Sequence, residues 1–324
     1  MDRFGNRFQL ELFGASHAPT VGVTLRGVPA SLPLAAGDFT TDLLRRKSGA
    51  RGTTPRIEDD LPQIDDRRTT DGTLTITFAN RNYRDADYRD FTAIPRPGHA
   101  DFVALRRYGS LLDGRFSGRM TLPLVAAGVV AKKLIAPLRV EAELVEVGGI
   151  AAADAAAVAR ALDTAAREGD SLGGIVECRC TDVPVGLGEP FFDALESLLA
   201  HAVFAIPGIR GIEFGDGFAA ARMKGSEHND PIVDAAGHTA RNGAGGINGG
   251  LSNGNPVVFR VAVKPTSSIR KVQRTFDFAR GEMVDYAVPG RHDTCFALRV
   301  PPVVEAVTAC VFADLFPGTA QPNL

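Results

Sequence analysis

The chain is poor in cysteine, in net charge and in long apolar runs, and each shortage removes a class of protein. Four cysteines in 324 residues are too few for a disulfide-framed scaffold. Cys178 and Cys180 lack the two-residue spacer of a zinc knuckle and would share one face of an alternating strand. Together with the apolar-flanked Cys295 and Cys310 they read as reduced core residues, and no metal site is expected. A formal charge of −2 argues against bulk nucleic-acid binding. The apolar stretch VAAGVVA, bounded by proline and lysine, is too short to cross a bilayer. No charged start, apolar run and cleavage site mark a signal peptide. The expectation is a cytoplasmic protein with neither a membrane nor a nucleic-acid partner.

Glycine, by contrast, is abundant and clustered. Six glycines fall within Gly243–Gly254, in RNGAGGINGGLSNGNP. With apolar flanks, that segment reads as a loop where backbone approaches something closely, not as a flexible linker.

Periodicity supplies the frame. Residues 8–13 and 21–26 read as two short strands around a tight turn, and TLTITFA at 73–79 as an alternating strand. GDFTTDLLRRK (37–47) reads as a short helix capped by Asp38 or Thr40 and ending in cations. Ser117 to Ala136 fits one buried helix, 152–168 an alanine-rich amphipathic helix, and FFDALESLLAHAVFAI a further helix. GGIVECRCTDVPVG reads as a strand pair or a strand and turn, 257–265 as a strand, and 301–316 as a closing helix with proline in its first turn. No linker or composition shift divides the chain. One interleaved α+β domain over 1–324 is expected, with 317–324 as a mobile tail.

Five polar, small-residue loops lie between these elements. GASHA holds His17. RRKSGARGTTPR (45–56) carries five cations and no acid, either a solvated surface or an anion clamp. In RPGHAD, Pro97 and Gly98 force a turn before His99, with Asp101 near enough to orient the imidazole. DGRFSGRMT opens the long helix with Ser117 and two arginines, where free N–H groups favour an anion. The glycine-rich loop is followed by KPTSSI (264–269) and GRHD (290–293), a set of hydroxyls and cations suited to a phosphate. Together they point to a site for a polyanionic small molecule. The sequence contains no G-x-x-x-x-G-K-[ST] loop, no strand–G-x-G-x-x-G–helix unit and no G-x-S-x-G elbow. His201 reads as a helix residue and His238 as a turn residue, whereas His228, in GSEHND, reads as lining an entrance or touching a neighbouring subunit.

In that order the segments resemble the chorismate synthase family: GASHAPTVGVTLRGVPASLPL, RPGHADF, VAAGVVAKKL, GDSLGGIVE, VPVGLGEPFFD, IRGIEFGDGFAAA, KGSEHND, GGLSNGNP, KPTSSI and GRHD, from about Phe8 to Phe316. The resemblance implies antiparallel sheets sandwiching helices, a homotetramer, and a redox-neutral 1,4-elimination. That reaction converts 5-enolpyruvylshikimate 3-phosphate to chorismate with reduced FMN, which an external reductant supplies, NADPH among the candidates. It also implies roles. His17 protonates the reduced flavin, His99 protonates the departing phosphate, Asp293 assists proton uptake at the flavin, and Ser16 and Ser117 stand beside them. Flavin contacts carry over to Arg115, Phe116, Ser117, Gly243, Ala244, Gly249, Lys264, Pro265, Thr266, Ser267, Ser268 and Arg291, and an anion clamp for NADP or substrate phosphate to Arg46 and Arg51. The chain departs from the pattern at Ala15, where the family normally has glutamate, and at Phe116 and Met120. It is one residue shorter at Ser48–Arg51 and trimmed after Asp60. The alternative these departures leave is a paralogue that keeps the fold and flavin pocket but takes another anionic ligand.

Overall fold

Two helices buried on nearly every side set the architecture. Such helices belong between layers. In the computed structural model, which describes residues 2–82 and 91–316, Thr121–Leu134 (α3) is buried from Thr121 to Ala131 and Pro301–Leu315 (α7) from Pro301 to Ala313. They pack on each other so closely that a Cβ on Gly128 would stand 2.3 Å from Ala306. A layer of sheet covers each helix.

The first sheet has the order β1-β2-β3-β5-β4, antiparallel throughout. Its strands are Arg3–Phe4 (β1), Gln9–Gly14 (β2), Thr20–Arg26 (β3), Gln63–Arg67 (β4) and Thr73–Ala79 (β5). Val21, Val23 and Leu25 alternate inward on β3, as Leu74, Ile76 and Phe78 do on β5. Between β3 and β4 runs Thr40–Arg46 (α1), and Asp101–Tyr108 (α2) follows the RPGH turn.

The second sheet is also antiparallel, in the order β7-β6-β8-β12-β9. It comprises Arg139–Val147 (β6), Ile150–Ala151 (β7), Gly174–Thr181 (β8), Ile209–Phe214 (β9) and Val257–Val263 (β12). The glycine-rich loop contributes a two-residue hairpin, Ile247–Asn248 (β10) with Leu251–Ser252 (β11). Gln273–Asp277 (β13) and Glu282–Tyr286 (β14) form a separate hairpin. Ala155–Glu168 (α4), Leu195–Phe204 (α5) and Gly225–His228 (α6) complete the elements. The fold is α+β, with antiparallel sheets on either side of packed helices.

Capping chemistry accounts for where expected ends move. Ser117 accepts from the Arg119 N–H and starts a 3-10 turn, so the long helix begins at Thr121. Asp154 accepts from the Ala157 N–H, so the alanine-rich helix begins at Ala155. Neither Asp38 nor Thr40 caps α1; Asp38 instead receives the Ala35 N–H one turn earlier. The segment after Gly173 is one strand and a turn rather than a strand pair. Cys178 and Cys180 both point into the core, and among the described residues no group of metal-ligating side chains converges. No helix among them is long and apolar enough to cross a membrane. The tail read at 317–324 lies outside the described residues.

One buried acid ties three helices. Glu305 on α7 accepts from Arg45 of α1 (2.7 Å), from Lys132 of α3 (2.7 Å) and from the Ala142 N–H (2.9 Å). Burial opposes its charge, yet these donors hold its carboxyl below the usual carboxylate range. Because Arg45 is pinned, its neighbour Arg46 enters the molecule from a fixed helix end.

Candidate active site

The RPGHAD turn shows how local sequence builds chemistry. Gly98 has φ +70°, a conformation that favours glycine. The chain then enters α2, whose first residue, Asp101, is buried. Its carboxylate accepts from Arg96 Nε and Nη2, each at 2.7 Å, and from the Arg96 backbone N–H at 3.0 Å. His99 Nδ1 lies 2.7 Å from Asp101 Oδ1. Arg96 Nη2 also lies 3.0 Å from Nδ1, but the carboxylate is the nearer partner and, ionised, only accepts, so the proton is assigned to Nδ1 and the ring presents Nε2 outward. Burial would raise the Asp101 carboxyl, but the hydrogen bonds from Arg96 and His99 hold it far below the carboxylate range.

His17 sits in the turn between β2 and β3. Its N–H donates to the Asp113 carbonyl (2.9 Å), and the Ala18 N–H closes the turn onto Ala15 (3.1 Å). The buried Ser16 hydroxyl accepts from Arg56 (3.0 Å), and Arg56 is in turn gripped by buried Glu58 (2.8 Å). Glu58 also receives the backbone N–H groups of Arg81 and Asn82, which, with Arg56, outweigh its burial and keep its carboxyl low.

These turns open onto one cavity of about 640 Å³. Its wall includes Ser16, His17, His99, Arg115, Phe116, Ser117, Lys264 to Ser268, Arg291 and Asp293, together with Arg46. Nine cations and three carboxylates line it, a strong positive excess for a chain of net charge −2. Several cations have carboxylate partners. Asp60 accepts from Arg46 (3.2 Å) and from Arg119, and Asp293 accepts from Arg299 (3.2 Å) and from the Thr54 N–H (2.8 Å). Burial and the facing Arg299 push the Arg46 guanidinium well below its ordinary value. Lys264 is lowered by burial and by Arg210, whose side chain pairs with no described residue. Arg291 is fixed by Asn82 and Arg115 by Asp2.

Four residues expected at the site lie elsewhere. Arg51 is exposed and paired with Asp163 of α4, outside the cavity wall. Gly243 and Ala244 sit against Gly215, beyond the end of β9, whereas the cavity touches the start of that strand at Ile209 and Arg210. Five residues of extended chain at ~3.3 Å each put roughly 17 Å between the two ends. Their N–H groups meet the Asp230 carboxylate at 2.7 and 2.8 Å. Gly249 is exposed at the turn between β10 and β11. His228 pairs with Asp216 (3.0 Å) in that same distant region and does not line the cavity. Conversely, Glu58, Asp60, Arg96, Arg210 and Arg299 line the cavity without having been singled out.

The sequence profile of chorismate synthase matches residues 8–316. The chain is 55% identical to the chorismate synthase of Chitinophaga pinensis, covering 97% of this chain and 96% of that one. It is 42% identical to that of Dehalococcoides mccartyi, over 96% and 95% of the two chains. With that of Korarchaeum cryptofilum the identity is 41%, over 97% and 96%. A crystal structure of chorismate synthase superposes with a TM-score of 0.73 over 96% of this chain and 92% of its own, at 24% identity, a likeness of fold. An ordered set of turns from end to end, a fold with helices between antiparallel sheets, and identity over the full length of relatives agree: the chain belongs to the chorismate synthase family.

Proposed function

We propose that this chain is a lyase that removes phosphate from 5-enolpyruvylshikimate 3-phosphate by 1,4-anti-elimination to give chorismate, with no net oxidation or reduction. The observation that carries this reading is the meeting of His17, His99 and Asp293, from three distant segments, in one cation-lined cavity. A substrate with a phosphate and two carboxylates needs fixed positive charge, and Arg46, Arg119 and Arg299 supply it from positions locked by Asp60 and Asp293.

The cavity also fits a reduced flavin mononucleotide. Thr266 lines it with a buried hydroxyl that has no partner among the described residues, the kind of orphan a ligand satisfies. Lys264, Ser267, Ser268, Arg291, Arg115 and Ser117 would hold the phosphate and ring edges, and Phe116 offers an apolar face. When bound, the flavin supplies transient electron density to an elimination that consumes no reductant. His99, oriented through Nδ1 by Asp101, delivers a proton from Nε2 to the leaving phosphate. His17 holds a proton in the turn between β2 and β3, which is fixed by the Asp113 carbonyl, by Asn80 and, through Ser16, by Arg56. Asp293 faces the cavity as a carboxylate pinned by Arg299 and the Thr54 N–H.

We further propose a single domain, acting as a homotetramer supplied with reduced FMN by an external reductant, with NADPH a candidate source. One hydrophobic core linking both sheets supports the first point. Two observations support the second. Gly243 and Ala244 are too far from their own cavity to reach a ligand there, so any contact of theirs with flavin would be to the flavin of another copy. Phe191 and Phe192 stand 88% and 92% exposed, an apolar surface a second copy would cover. The proposal is tested by His17→Ala and His99→Ala. Each is expected to lower turnover by about a hundredfold or more while the unfolding midpoint stays near that of the parent. Near-parent turnover in both would contradict it.

A further inference from the structure

Behind the cavity wall one buried amide joins the His17 turn to a cavity arginine. Asn80 is the first residue after β5, and its side chain is buried. Its Nδ2 donates to the carbonyls of Ala15 (3.0 Å) and Ala18 (2.7 Å), which flank Ser16 and His17 on both sides. Its Oδ1 accepts from Arg119 Nε (3.0 Å), and its own N–H donates to the Pro19 carbonyl (2.8 Å). The amide has one orientation only. Flipped, it would set its oxygen against two carbonyls and its NH₂ against a guanidinium N–H. Asn80 is absent from the cavity wall, whereas Ser16, His17 and Arg119 are on it.

We propose that Asn80 is a positioning residue for the reaction read above: it fixes the His17 turn relative to Arg119, and so the proton-holding imidazole relative to the bound anion. The geometry separates two functions that a general packing role would merge. Arg119 is held independently by Asp60 and by the Ala79 carbonyl (3.4 Å), so it keeps its place without Asn80. The His17 turn loses both side-chain clamps on the Ala15 and Ala18 carbonyls, while its backbone bonds and its Arg56 contact stay in place. Loss of Asn80 therefore acts on the turn, not on the anion site. A ring displaced by about 1 Å is enough to cost a large factor in rate.

The inference rests on the proposed function, and its test keeps the two apart. Asn80→Asp preserves shape and the acceptor for Arg119 but turns the two donors into acceptors facing carbonyls. Asn80→Ser removes the fork without adding charge. With 5-enolpyruvylshikimate 3-phosphate and chemically reduced FMN, both variants are expected to lose about tenfold to a hundredfold in kcat, with KM within about threefold of the parent. In a His17→Ala background the same substitutions are expected to cost less than about threefold, because the group they position is gone. Equal losses in both backgrounds, or a change in KM alone, would overturn the inference while leaving the proposed function standing. Absence of turnover in the parent would defeat the proposed function instead. The inference is then read from histidine-labelled protein by NMR: the His17 ring resonances shift in both variants while those of His201 and His238 do not. An unmoved His17 signal in folded variants would overturn it.

Discussion

Replacing Asp101 with asparagine removes one charge and almost no volume, which makes it a sharp probe of the His99 turn. The carboxylate serves three N–H groups of Arg96 and the Nδ1–H of His99. An asparagine oxygen will stay with Arg96, whose guanidinium needs an acceptor, and the new NH₂ then faces His99 Nδ1. That forces Nδ1 to accept, and the ring loses the carboxylate that oriented it. Removing one partner of a buried pair costs about 3–5 kcal/mol. Arg96 keeps the Ser268 hydroxyl (3.3 Å) and the Phe91 ring (4.2 Å), so the lower end, about 3 kcal/mol, is expected. Because the Asp101 carboxyl is lowered on folding, its contribution is complete above the unfolded carboxylate value of about 4 and fades as pH falls through the lower folded value. The stability gap between parent and variant should thus be full at pH 7 and narrow in strong acid, as read by urea unfolding at several pH values. Turnover should fall by about a hundredfold, because the ring is then held in the wrong tautomer. A gap under about 1 kcal/mol at pH 7 together with near-parent turnover would refute this account of His99.

Two further outcomes follow from the geometry. Gly128→Ala drives a methyl into Ala306 where the central helices touch; it should cost about 1–3 kcal/mol and lower the thermal midpoint, and an unchanged midpoint would mean the helices are not so closely packed. Arg51→Ala breaks only an exposed pair with Asp163, so kcat/KM should stay within about twofold of the parent, whereas a tenfold loss would return Arg51 to the anion site.

What the sequence made legible was whatever is local. The alternation of TLTITFA, the uninterrupted apolar faces of α3 and α7, and the Asp101 that follows His99 by two residues each declare themselves within a few positions. β6 did not, because the acids of RVEAELVEV fill its outward face and mask the strand. Asn80 and Asp60 were equally silent, since their meaning lies in a partner, Arg119, 39 and 59 residues away. Gly243 and Arg51 show the converse. Composition marks a loop as fit for an anion, but not which end of a strand carries it or which way its cations face.

The central claim is that the cavity joining His17, His99 and Asp293 performs a phosphate elimination without net redox change. The most direct measurement is an anaerobic assay of the purified chain with 5-enolpyruvylshikimate 3-phosphate and chemically reduced FMN, following chorismate absorbance and phosphate together. One phosphate per chorismate over many turnovers, with the flavin still reduced at the end, is the predicted result. No chorismate from protein that binds reduced FMN would contradict it.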